Sequence, residues 1–111
     1  MVDSPLDCAM ELVETPIFSR QVEAQLSAEE YRALQLALVF APEAGPVIPG
    51  SGGLRKLRWR LPGRGKRGGA RVIYYCRTSA GQLYLVYLYP KNVRSNLSPA
   101  ELRILRKLVS D

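Results

Sequence analysis

The chain has 111 residues, with 16 Lys and Arg against 10 Asp and Glu, no His, and a formal net charge of +6. That length fits a single domain over residues 1–111, and a hydrophobic content of 47% is enough for a buried core, which excludes wholesale disorder. Without histidine, Ser-His-Asp and Cys-His hydrolase sites and histidine-ligated zinc are excluded too.

Residues 1–9 carry no motif and are expected to be a flexible extension; they are acidic and lack the apolar stretch of a secretory signal. No run of about 18 apolar residues suggests a membrane span. Cys8 and Cys76 have no companions at metal-ligand spacing. The expectation is a reduced, cytoplasmic protein with no cofactor.

Met10–Val13 suits a short first strand. Thr15-Pro16 reads as an N-cap with proline in the first helical turn, and Phe18, Val22 and Leu26 follow on one helical face. Ser27-Ala28-Glu29-Glu30 is a capping box that opens a second helix through Tyr31, Leu34, Leu38 and Ala41, stopped by Pro42. Residues 42–53 are rich in turn formers, and a loop of that length is expected to pack on something.

The period then changes to two. Leu57, Trp59 and Leu61 alternate with Lys56, Arg58 and Arg60, a strand with one apolar and one cationic face. Residues 62–69 form a basic, glycine-rich hairpin loop. The runs at residues 70–76 and 83–89 are nearly continuous apolar strands, as expected of central ones. Ser98-Pro99-Ala100-Glu101 is a second capping box, and Leu102, Leu105, Leu108 and Val109 give the last helix an apolar face. The order β-α-α-β-β-β-α predicts an α+β domain: a small, twisted antiparallel meander with the helices on one face.

Charge is divided along the chain. Residues 1–50 hold eight acids and two bases, a net of −6, whereas residues 51–111 hold fourteen bases and only Glu101 and Asp111, a net of +12. Nucleic acid is the leading partner for such a field, because each neutralised phosphate releases counterions; an acidic protein is second. The meander gathers Lys56, Arg58 and Arg60 with Arg64, Lys66 and Arg67 of the hairpin loop and Arg71 just beyond it. Arg71 interrupts an apolar run, which marks it for function. Alternating charge is also what a solvated sheet face shows, and most of the tyrosines at 74, 75, 84, 87 and 89 are expected in the core.

Metal-dependent nuclease sites gather carboxylates, which the basic half lacks. A metal-free route exists for RNA: the 2′-hydroxyl attacks its own phosphate while cations stabilise the developing charge, and a lysine with a lowered pKa serves as base.

The segments Gly53-Leu54-Arg55-Lys56-Leu57-Arg58-Trp59, Gly65-Lys66-Arg67-Gly68-Gly69-Ala70-Arg71-Val72-Ile73-Tyr74-Tyr75 and Leu88-Tyr89-Pro90-Lys91 resemble the RelE/HigB toxins of bacterial type II toxin–antitoxin systems. The resemblance implies a RelE-like fold and a ribosome-dependent mRNA endoribonuclease. It also implies an antitoxin partner, HigA-like and DNA-binding, through which alone the operator is reached. On this resemblance Lys56 and Arg58 orient the RNA phosphates, Arg71 stabilises the scissile phosphate, and Lys91 supplies charge or a proton. Arg55, Arg60, Arg64, Lys66 and Arg67 would contact mRNA or ribosomal RNA. The chain has no tyrosine or histidine after Tyr89, and Asn92 and Val93 stand where some members carry a carboxylate, so the general base lies among Lys56, Lys91 and Tyr89. The alternatives are a ParE-like toxin acting on a protein such as gyrase and a non-catalytic nucleic-acid-binding module.

Overall fold

The computed structural model describes residues 11–61, 69–94 and 96–109. The N-terminal extension with Cys8, and the hairpin residues Arg64, Lys66 and Arg67, lie outside the described residues. The elements are β1 (Glu11–Glu14), α1 (Pro16–Gln25), α2 (Ala28–Phe40), β2 (Leu54–Arg60), β3 (Gly69–Arg77), a short 3-10 turn (Thr78–Ala80), β4 (Gln82–Pro90) and α3 (Pro99–Lys107). They make one four-stranded sheet in the order β1-β4-β3-β2. The meander β2-β3-β4 is antiparallel as expected, while β1 adds to β4 in parallel, so the sheet is mixed.

The caps form where the side chains dictate. Ser27 and Ser98 each accept from the amide three residues on, and Glu30 and Glu101 reach back to the serine amide. Thr15, only 6% exposed, has two tasks: its hydroxyl accepts the Phe18 amide to cap α1 and donates to the Val86 carbonyl at 2.8 Å.

Val86 is the extra residue of a bulge, since Ile73 pairs with Tyr87 while Tyr74 pairs with Leu85. The bulge reverses the alternation of β4: Leu83, Leu85 and Leu88 pack on one side of the sheet, and Tyr84, Val86, Tyr87 and Tyr89 on the other. Beyond the end of β1, α1 takes over the free edge of β4. The Leu88 amide donates to Gln21, and Gln25 donates to the Leu88 carbonyl.

The helices do not share a face. Phe18, Val22, Leu34 and Leu38 of α1 and α2 pack on Val72, Tyr74, Leu85 and Leu88. Leu102 and Leu105 of α3, with Val109 just beyond it, pack on Leu54, Ile73 and Val86 across the sheet. The expectation of a single covered face is corrected here, and β3 gives the reason: Val72, Ile73 and Tyr74 are consecutive, point to alternate faces, and are all fully buried. Both faces therefore need a cover.

The 42–53 loop packs back on β2 and β3. The Gly45 amide donates to the Tyr74 hydroxyl at 2.8 Å, and the Lys56 amide to the Pro46 carbonyl. A Cβ on Gly45 would stand 2.8 Å from the Lys56 carbonyl oxygen, so only glycine permits this approach.

Thr15→Val should lower stability by about 2 kcal/mol, because it removes an N-cap and leaves the buried Val86 carbonyl without its hydroxyl donor. Urea unfolding would show the loss as a lower midpoint with an unchanged slope.

Candidate functional site

Strand register builds the site. Arg58 pairs with Arg71, and Arg71 pairs with Tyr89, giving one row across β2, β3 and β4. Lys56, Ile73 and Tyr87 form the next row toward α3. Because side chains alternate along a strand, Lys56, Arg58 and Arg60 share the face of Leu54, which α3 covers only at the Leu54 end. Lys91 follows β4 directly: its amide donates to the Gly69 carbonyl at 3.1 Å, and its side chain lies along Gly69 at the same end of the sheet.

The cationic side chains of β2 have an ordinary use, since β2 is an edge strand and charges there oppose pairing with other chains. That account does not reach Arg71, which lies on an interior strand between β2 and β4. Its Nε is shielded from solvent and has no hydrogen-bond partner. A buried guanidinium donor without a partner is costly within the fold and suits an incoming anion. Among the described residues, Lys56, Arg58, Arg60, Arg71 and Lys91 make no ion pair.

Two titratable groups of the site are pushed in opposite senses. Burial, then the charges of Arg71 and Arg58, lower the Lys56 ammonium pKa below its ordinary value. Burial raises the Tyr89 phenol, against smaller opposing effects of Arg71 and Arg94. Tyr89 is 4% exposed and lines, with Lys56, a cavity of about 160 Å³ under α3.

Arg55 is not part of the cluster. It lies on the opposite face of β2, donates to the Gly45 carbonyl at 2.8 Å, and faces Glu43. The structure instead adds residues that sequence reasoning passed over. Asn96 accepts a hydrogen bond from Lys56 Nζ at 2.6 Å. Arg94 grips both oxygens of Glu101 at 2.6 and 2.7 Å. These residues lie in an irregular segment, where neither helical nor strand spacing marks them. Among the described residues, no three His, Cys, Asp or Glu side chains are grouped as metal ligands, and no helix is long and apolar enough to cross a membrane.

Residues 49–111, more than half of the chain, match the family described as the RelE toxin of the RelE/RelB toxin–antitoxin system. The chain belongs to the RelE toxin family. It is therefore the toxin of a toxin–antitoxin pair, and RelE toxins have an antitoxin as partner. Among solved structures it is similar to an arginine-substituted mutant of E. coli toxin RelE in the free state, at 14% identity and a TM-score of 0.60, over 88% of this chain and 97% of that one. At that identity the likeness shows the RelE fold. The fold match extends N-terminal to the family match, so α1 and α2 belong to the RelE architecture as well.

The row of like charges should cost stability. Arg58→Thr, which removes one of two directly opposed arginines, is expected to raise stability by a few tenths to about 1 kcal/mol at low salt. The gain should shrink at high salt, which urea midpoints at two ionic strengths would reveal.

Glu101 is held at about 2 by the Arg94 fork and the Ser98 amide. Since its folded pKa is depressed, its contribution is complete above the ordinary carboxylate range near 4.5 and is lost as pH falls toward about 2. Glu101→Gln should therefore show a shallower fall in urea midpoint over that window than the parent.

Proposed function

We propose that this toxin is a metal-independent endoribonuclease that cleaves mRNA on the ribosome in the cytoplasm and so stops translation. The observation that carries this reading is Arg71: a buried, unpartnered guanidinium Nε on an interior strand, beside Lys56 and opposite Arg58. Family membership supports it, since it supplies the toxin context in which such a cationic site acts.

In this reading Arg58 and Arg60 hold the RNA backbone, and Arg71 faces the scissile phosphate. Lys56 takes the proton of the 2′-hydroxyl, its lowered pKa favouring the neutral amine that this step requires. The 2′-oxygen attacks phosphorus, the bond to the 5′-oxygen breaks, and a 2′,3′-cyclic phosphate and a 5′-hydroxyl result. Arg71 stabilises the charge that builds on the phosphate oxygens. Lys91, exposed at the end of β4, delivers charge or a proton to the departing 5′-oxygen. Tyr89 is too buried to exchange protons freely and forms the floor under the row. Arg64, Lys66 and Arg67 serve as contacts to mRNA or ribosomal RNA. The antitoxin, HigA-like and DNA-binding, covers this surface and alone reaches the operator.

Induction of the toxin in bacteria, with mapping of mRNA 5′ ends, tests the reading. New ends within translated codons are expected. Arg71→Ala should abolish both the cuts and the growth arrest while leaving the fold intact, with cleavage on isolated ribosomes reduced about 10²- to 10³-fold, as for loss of one transition-state donor. Growth arrest with uncut mRNA would move the target to a protein such as gyrase. Binding to free nucleic acid with no arrest would leave a binding module.

A further inference from the structure

Lys56 does not stand unsupported. Its Nζ donates to Asn96 Oδ1 at 2.6 Å. Asn96 is held in turn, because Arg94 Nε donates to its backbone carbonyl at 3.2 Å while the terminal nitrogens of Arg94 take both oxygens of Glu101. Glu101 belongs to the first turn of α3 and closes the Ser98 capping box. A chain of polar contacts thus runs from α3 through Arg94 and Asn96 to the amine on β2. Beneath it lies the small cavity, with walls from Ile73, Leu97 and Leu102 beside Lys56.

We propose that Asn96 is a positioning residue: its amide oxygen holds the Lys56 amine toward the substrate 2′-hydroxyl without adding charge to the site. The inference rests on the reading of Lys56 as the general base.

The choice of an amide follows from what surrounds the amine. Lys56 is faced by Arg58 on its own strand, Arg71 on β3 and Tyr89 on β4, with the neutralised Arg94–Glu101 pair between the last segment and α3. The two arginines favour the neutral amine. A carboxylate at position 96, at the same distance, would work against them, since an opposite charge this close shifts a pKa by about 1 to 3 units toward the charged form. The amide supplies the geometry of that contact with a dipole only. With no acceptor there, the flexible four-carbon stem of Lys56 would sample many orientations.

The test is single-turnover cleavage by the purified toxin on mRNA-programmed ribosomes, across the neutral to alkaline range. It compares the parent with Asn96→Asp, Asn96→Ala and Lys56→Ala, each checked for an unchanged thermal melt. For Asn96→Asp, the rising limb of the pH–rate profile should move upward by about one unit or more. Its cleavage at neutral pH then falls about tenfold or more and recovers as pH rises. Asn96→Ala should be slower at every pH, with no upward displacement. An Asn96→Asp profile that superimposes on the parent, with Lys56→Ala inactive, overturns the positioning role and leaves Lys56 as the base. A Lys56→Ala toxin as fast as the parent overturns both.

Discussion

The place of the site follows from an unequal covering of the sheet. β3 and β4 are apolar on both sides, so each face must be shielded from water. One face receives two helices, of 10 and 13 residues; the other receives only the nine residues of α3. A helix that long reaches about 14 Å, whereas nine residues of strand reach about 30 Å. However α3 is laid, one end of its face stays bare. That end carries Lys56, Arg58 and Arg71, where apolar residues would have demanded a longer helix. The hydrophobic constraint that shapes the fold thus also leaves a solvent-facing platform on rigid strands.

The platform keeps its charge because the acids are engaged elsewhere. Glu23, Glu29 and Glu30 ride on the helices of the opposite face. Glu43 faces Arg55 from the far side of β2, and Glu101 is occupied by Arg94 and its own cap. Among the described residues the row makes no ion pair with a carboxylate, which leaves its charge open to a partner from outside. The low local charge compensation and the partial burial act together on Lys56, and the same burial pushes Tyr89 the other way.

Much of this was legible in the chain. The two capping boxes announce their helices, the alternation in β2 announces a cationic face, and Arg71 stands out as a charge in an apolar run. The continuous apolar strands also carried the information that both faces need helices, although the helical periodicities alone do not say which helix takes which face. Arg55 illustrates the power of strict alternation: its parity with Leu57 and Trp59 already places it across the sheet from Lys56. Other features had no sequence signal. A bulge leaves no mark in a run such as Leu85-Val86-Tyr87-Leu88, where every residue suits a core. Asn96 and Arg94 act from an irregular segment, and their roles arise only once α3 has docked.

The bulge at Val86 has a consequence for how this toxin can diverge. Tyr87 and Tyr89 reach the side of Arg71 only because one extra residue reverses the parity of β4, and the buried carbonyl of that residue is held by Thr15 at the start of α1. Side chains of β4 are free to change one at a time within their own layer. The number of residues in β4 is not, because a single deletion would return the strand to even alternation and turn the tyrosines into the opposite layer. Descent in this lineage should therefore proceed by replacement within β4, with insertions and deletions confined to the connections around it.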